Sequence, residues 1–285
     1  MEEKVMREEW LTPLSKVIFP FTGRDGEFNA ALIAFQIIEE MGGELVGFHV
    51  LSEEGSAAKF KEELLKVARK FKVSFRIICY DERNIISGLL NELKRGYDLC
   101  ICSLGIKGVK GLGSGSVVRK LINKIPIKLL LVYTPESYGV LPYTLNRILV
   151  THTMMDEDVA AYMVAMVLSK SWLSIKGEII AVYPIRVPSS VPIDLTYVAE
   201  EIERKEDSFL KDIGSEIKEM GSPILPVTLY ARDKAEALAV YSKEVDADIV
   251  IIGVNRRKYL SRLASLMPLS YPRFINELLR RASCP

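Results

Sequence analysis

The sequence predicts an α/β chain built as two doubly wound, open parallel sheets in tandem, the second lacking its last strand. An internal repeat, a regular alternation of apolar and amphipathic runs, and the chain length carry that prediction. Residues 16–50, KVIFPFTGRDGEFNAALIAFQIIEEMGGELVGFHV, line up with 147–184, RILVTHTMMDEDVAAYMVAMVLSKSWLSIKGEIIAVYP. Each reads as an apolar run, a polar turn, a long amphipathic stretch and a second apolar run, which is strand, helix, strand. Farther on, 74–105 matches 224–255 in the same way, with Asp98 and Asp248 opening the last strand of each. Strands that are apolar along their whole length are those covered by helices on both faces of a parallel sheet. A length of 285 residues, against about 150 per domain, leaves room for two such units.

The elements follow in order. An N-terminal arm spans 1–15, the first domain 16–134, a linker 135–146 and the second domain 147–285. Asp25 and Asp156 stand where the first helix of each copy begins and read as helix caps. Phe28, Phe35 and Tyr162 recur at helical spacing and read as packing residues. Between its second and third strands the first copy has a short acidic turn, LSEEGS, and one helix over 57–71. The second copy has YPIRVPSSVPID, a loop by its proline and serine content, and a longer helical pattern over 195–220. TPESYGVLPYTLN, 134–146, is the linker composition between the halves.

Composition narrows the function classes. Lys plus Arg number 38 and Asp plus Glu 37, so no global field favours nucleic acid or an anionic membrane surface. The longest apolar runs, near 128–133 and 248–254, fall far short of the roughly 20 residues that cross a bilayer. The N-terminus MEEKVMREEWLTPL has acidic residues where a signal peptide starts basic, so a cytoplasmic protein is expected. Cys100 and Cys102 alternate inside an apolar run and read as buried thiols facing the same way. With only His49 and His152 in the chain, no metal site is expected. The carboxylates of EEIERKED, 200–207, lie on a solvated helix face, and no nucleophile elbow exists, so no catalytic team is legible.

One segment has the chemistry of a binding loop. Gly105, Gly108, Gly111, Gly113 and Gly115 leave the backbone free to take positive φ and approach a ligand, and Gly115-Ser116 stands where a helix begins. Unpaired amides and the positive end of the helix dipole there suit a phosphate, with Ser116, Lys107, Lys110 or Arg119 as auxiliary donors. The competing reading is a Gly/Ser connection with Ser114 or Ser116 as an ordinary cap. Its place after a buried strand, at the carboxyl edge of the sheet, favours the ligand.

The chain resembles the universal stress protein family from Lys16 to Pro285. The resemblance rests on Pro20-Phe21-Thr22-Gly23 closing the first strand, His49-Val50 closing the second, the Gly-rich segment after the fourth, and GSVVRKLINKIPIKLLLV over 115–132. The family's nucleotide binders carry Gly-x2-Gly-x9-Gly-Ser/Thr. Here the segment reads Ser103-Leu104-Gly105, nine residues, then Gly115-Ser116, with Ser103 in the first glycine's place. The resemblance implies the strand order 3-2-1-4-5 and an adenine-nucleotide site, ATP or a relative, formed in domain one by Pro20, Thr22, Val50, Ser103, Gly105, Gly115, Ser116 and Val117. Thr22 stands where the binders have Asp, which keeps a hydrogen-bonding oxygen and drops the charge. His49 reads as a satisfied structural histidine beside that site.

In the second copy Gly253 keeps the first glycine position, Pro272 and Arg273 replace the Gly-Ser pair, Thr153 replaces the Asp, and Pro184 stands in place of the Val. Arg256, Arg257, Lys258 and Arg262 read as a solvated basic loop. The expected function is a non-enzymatic stress-response protein with a regulatory nucleotide site in domain one. The alternative is an interaction module with both sites vestigial. Family members pair through their last edge strand, so the resemblance implies a homodimer or an intramolecular pseudo-dimer, with the 129–132 edge paired or covered by the arm.

Overall fold

The computed structural model describes residues 14–24, 26–50, 56–80, 85–104, 121, 124–135, 138–142, 145–154, 157–170, 177–189, 200–220, 223–254 and 273–285. The chain forms two compact units that divide between Tyr143 and Thr144.

In the first unit, β1 (Lys16–Phe21), β2 (Glu44–Val50), β3 (Ser74–Tyr80), β4 (Leu99–Leu104) and β5 (Lys128–Tyr133) form one parallel sheet, ordered β3-β2-β1-β4-β5. This is the 3-2-1-4-5 order. Helices α1 (Glu27–Met41), α2 (Ser56–Phe71) and α3 (Ile85–Leu93) supply the crossovers. Every residue of α1 from Asn29 to Ile38 is buried, so this helix carries apolar residues all round. On one face of the sheet Ile18, Val46, Phe48, Cys100 and Cys102 pack with Leu89, Leu93, Leu121 and Ile125. On the other, aromatic pairs fill the layer: Phe19 stacks on Phe21 at 5.6 Å, and Phe35 meets Phe71 and Phe75 at 5.9 and 5.1 Å. Cys100 and Cys102 are buried with their sulfurs 3.5 Å apart, on one face as their spacing requires.

The second unit repeats the plan with β6 (Arg147–Thr151), β7 (Glu178–Arg186), β8 (Ile224–Ala231) and β9 (Ile249–Ile252), ordered β8-β7-β6-β9. Its helices are α4 (Asp158–Lys170), α5 (Glu200–Met220), α6 (Lys234–Glu244) and α7 (Arg273–Arg281). The sheet has four strands among the described residues, one fewer than the first. Where the first unit sets Leu129 of β5 opposite Cys100, the second offers a single carbonyl: the Val250 amide donates to the Pro285 oxygen at 2.7 Å. Asp233 caps α6, accepting from the Ala235 and Glu236 amides.

Asp98 and Asp248 explain why the repeat keeps an acid there. Asp98 Oδ2 accepts from the Ser15 amide (2.8 Å), the Ser15 hydroxyl (2.8 Å) and the Lys16 amide (2.9 Å), tying the start of β4 to the start of β1. Burial alone would raise its pKa; these donors overcome that and hold it below the ordinary value. Asp248 Oδ2 does the same for β6 through the Asn146 and Arg147 amides, at 2.6 and 3.0 Å.

Two expectations change. The stretch YPIRVPSS is not loop from its start: β7 runs on through Tyr183, Pro184, Ile185 and Arg186, with Pro184 opposite Leu229. The β6–β7 ladder ends at Thr151↔Val182, so beyond it β7 has a strand neighbour on one side only, and a proline amide on the open side breaks no ladder bond. The linker is also not free chain. Asn29 of α1 accepts from the Leu141 amide at 2.7 Å and donates to the Gly139 carbonyl at 3.0 Å and the Thr134 hydroxyl at 3.3 Å, and Leu141 is buried.

Candidate functional site

The carboxyl edge of the first sheet opens at the reversal of strand order between β1 and β4. The β1–β2 ladder continues to Phe21↔His49, whereas β1 meets β4 only at Val17↔Leu99 and Ile18↔Cys100. Pro20 falls beyond the last β1–β4 pair, where its missing amide leaves β4 without a donor. The two strands part there, and in open α/β sheets such a reversal is where ligands sit.

The structure brings Pro20, Thr22, Val50 and Ser103 to that edge. Val50 closes β2 opposite Tyr80. Ser103, near the end of β4, donates from its hydroxyl to the Gly26 carbonyl at 3.1 Å and so joins the β4 exit to the start of α1. Gly105, Gly115, Ser116 and Val117 lie outside the described residues, as do Asp25, Asp156 and the basic cluster Arg256, Arg257, Lys258 and Arg262. The residue at the N-cap of α1 is Gly26, with no side-chain cap bond.

The Thr22 hydroxyl proton is already engaged. Its amide donates to Glu27 Oε2 at 2.8 Å and its hydroxyl to Glu27 Oε1 at 2.9 Å, and the same carboxylate accepts from the Gly23 and Arg24 amides at 2.8 and 3.1 Å. Three consecutive loop amides form a concave anion seat, and the chain's own Glu27 fills it. The second unit repeats the device: the Thr153 amide and hydroxyl donate to Asp158 at 2.8 and 2.7 Å. In each copy the acid stands five residues beyond the threonine. The repeat alignment contained that signal, a threonine with an acid at the same later position in both halves.

Behind the first latch lies His49. It is fully buried and stacks on Phe21 at 5.0 Å, yet among the described residues neither ring nitrogen finds a hydrogen-bond partner. Among the described residues the expected satisfied histidine therefore has no hydrogen-bond partner for its ring nitrogens, with the Phe21 ring stacked on it. Burial, aided by Lys61, pushes its pKa below 6.5; the Phe21 backbone and Glu27 act in the opposite sense. In the second unit His152 is buried against Phe209 and Tyr183, with Nδ1 3.1 Å from the Tyr162 hydroxyl and 3.5 Å from Asp158. Burial again lowers its pKa, opposed by Asp158 and Asp212.

Both histidines are thus favoured neutral in the fold. The unfolded chain binds protons at a higher pH, so stability is full above about pH 6.5 and falls as the pH drops toward the folded-state values. Urea unfolding at pH 7 and pH 5.5 should give a lower midpoint at the acid pH. The difference should shrink in His49→Leu, which keeps the contact with Phe21 and has no ring nitrogen to protonate. An unchanged difference would remove His49 from this account.

Gly253, the second unit's counterpart of Ser103, has a steric task. A Cβ there would lie 2.1 Å from the Glu157 carbonyl oxygen and 3.0 Å from the Asp158 nitrogen. The β9 exit passes against the start of α4, just as Ser103 passes against Gly26. Among the described residues no group of three or more His, Cys, Asp or Glu can hold a metal, and no helix is long and apolar enough to cross a membrane.

Two solved structures match almost the whole chain. A universal stress protein from Archaeoglobus fulgidus DSM 4304 aligns over 94% of this chain and 93% of its own, at 14% identity and a TM-score of 0.55. This chain has the tandem universal stress protein fold. The cytoplasmic domain of a prokaryotic cation chloride cotransporter aligns over 95% of this chain and 93% of its own, at 11% identity and a TM-score of 0.57. No protein family model and no curated protein sequence matches the chain. At these identities it is the universal stress protein fold that is shared, and within it the threonine–carboxylate latches are read from this chain's own residues.

Proposed function

We propose that this chain is a non-enzymatic regulatory protein of the stress-response type, cytoplasmic, whose first unit takes an adenine nucleotide, ATP or a relative, as an effector. The parting of β1 and β4 beyond Ile18↔Cys100, with Pro20, Thr22 and Ser103 on its rim, carries this reading. The Gly105–x9–Gly115–Ser116 segment that follows β4 in the sequence supplies the residues for the phosphates, and Val50 the contact for the base. Glu27 restores, from α1, a carboxylate beside Thr22. At this edge Thr22 and Glu27 bond each other, Ser103 bonds the Gly26 carbonyl, and His49 is buried.

A second reading has its own observation. The latch closes the loop in both units, and an occupied anion seat suits a module that acts through its surfaces, with both sites vestigial. The likeness to the cytoplasmic domain of a cotransporter fits such a regulatory module. On either reading the protein works as a homodimer or an intramolecular pseudo-dimer through the β5 edge.

Calorimetric titration of the intact protein with ATP separates the two. Saturable binding that ADP or AMP competes away, and that Gly115→Pro or Ser116→Asp abolishes, is the result expected for the nucleotide effector. No binding of any of the three leaves the interaction module.

A further inference from the structure

The loop after the first strand of each copy differs at one telling position. Gly23 follows Thr22 with φ 96°, and Met154 follows Thr153 with φ 61°. Glycine takes that left-handed backbone without steric cost, whereas a methionine there crowds its Cβ against the following carbonyl oxygen. The second unit keeps the backbone of the loop and replaces the residue that suits it. What the replacement brings is a sulfur: Met154 Sδ lies 3.1 Å from Nε2 of His152, and the residue itself stays exposed. A strained position of this kind points to a task for its side chain.

His152 forms the floor beneath that sulfur. Its buried ring packs against Phe209 and Tyr183, with centroids 5.0 and 5.9 Å away. Nδ1 stands 3.1 Å from the Tyr162 hydroxyl and 3.5 Å from Asp158 Oδ2, and Asp158 is held in place by Thr153. We assign the ring proton to Nδ1, where the Asp158 carboxylate favours it, so Nε2 presents a lone pair. On that side Nε2 meets two further lone-pair donors, Met154 Sδ and, at 3.8 Å, Oδ2 of the exposed Asp212 on α5. Donor atoms that share one ion at bonds of about 2.0–2.3 Å stand roughly 3–4 Å from each other, and both separations from Nε2 fall in that range. A ring nitrogen turned to a carboxylate while the other is left for the ion is the usual setting of a ligating histidine. In the first unit the aligned residues are Phe21 and Gly23, whose side chains offer no ligand.

We propose that His152 Nε2, Met154 Sδ and Asp212 Oδ2 form a binding site for monovalent copper in the second unit. The thioether sets the choice of ion: it is a soft ligand that selects copper(I), and imidazole suits copper equally, whereas calcium and magnesium take oxygen ligands. Asp212 offsets the charge of the ion, and as the exposed members Asp212 and Met154 give it access to the buried imidazole. One imidazole and one carboxylate make no metal pattern in the sequence; the methionine completes the set. The site is independent of the nucleotide reading of the first unit.

Copper(I) is the probe, delivered anaerobically with ascorbate, as its bicinchoninate complex, to the full chain carrying 15N-labelled histidine and 13C-labelled methionine methyls. The four cysteines compete for the same ion, so the binding is read site by site in the NMR spectrum and followed to saturation. The His152 ring nitrogens and the Met154 methyl should shift together, while those of His49 hold still. Met154→Leu and Met154→Gly should each weaken retention of copper at His152 against the bicinchoninate competitor by about tenfold or more. Glycine is the first unit's own residue on this backbone, so its fold should survive the change, which a circular dichroism melt checks. Three results overturn the proposal: His152 and Met154 signals unmoved at saturation with copper held by the cysteines alone, wild-type retention at His152 in Met154→Leu, or zinc(II) held there more tightly than copper(I).

Discussion

Replacing Glu27 with alanine should open the loop after β1 and destabilise the first unit by about 2–4 kcal/mol. The reasoning is a count of donors. One carboxylate accepts from the Thr22, Gly23 and Arg24 amides and from the Thr22 hydroxyl, and hydrogen bonds to an ionised acceptor are worth roughly 1.5–3 kcal/mol each. Arg24 is exposed and Thr22 and Gly23 are partly so, so water recovers part of the loss and the sum stays well below four such bonds. Hydrogen exchange reads the effect directly, because the amides of Thr22, Gly23 and Arg24 should lose protection together while those of β2 and β3 retain theirs. Glu27→Gln should fall between wild type and alanine, since its amide keeps one acceptor oxygen and places a donor against donors. Unaltered protection in the alanine variant would show that the latch contributes nothing.

The second large effect is expected at Gly253. Its replacement by valine should cost the second unit about 3 kcal/mol and lower Tm by several degrees. The obstacle is backbone: the Glu157 carbonyl would lie 2.1 Å from the new Cβ, and relief requires β9 and α4 to move apart. In the first unit the equivalent change, Ser103→Gly, removes only the bond to the Gly26 carbonyl and should cost about 1 kcal/mol. A thermal melt of Gly253→Val that overlays the wild type would contradict the packing described for this corner.

The paired predictions show which parts of the molecule were legible beforehand. Strand and helix order could be read because each apolar run and each amphipathic run carries its own periodicity, and the duplicated copies confirmed each other. The closing of β7 could not. Three prolines and two serines signal a loop, and whether Pro184 breaks a ladder depends on where β6, a strand more than thirty residues away, happens to end. His49 was misread for a similar reason. A histidine on an apolar strand is normally satisfied, but here the Phe21 ring of the neighbouring strand lies stacked on it.

The candidate site divides along the same line. Pro20, Thr22, Val50 and Ser103 were named through the resemblance to the universal stress protein family, and the fold places them at one edge because the ends of parallel strands share it. Glu27 and Asp158 stand at the same offset from Thr22 and Thr153 in both copies, but that spacing does not say which way the side chain turns, and an acid at a helix start is ordinarily read against its own helix dipole. The side chain turned back to the preceding loop instead.

By itself, the sequence determined that this protein is a tandem of two α/β units, unequal in their glycines and in their last strand, because periodicity and duplication are properties of the chain alone. Tertiary structure decided which groups meet: Thr22 and Thr153 latched by acids, His49 buried against the Phe21 ring, Gly253 pressed against Glu157. Hydrogen bonds, steric contact and burial act over a few ångströms in space, and the fold sets those distances by bringing together residues that the chain keeps apart.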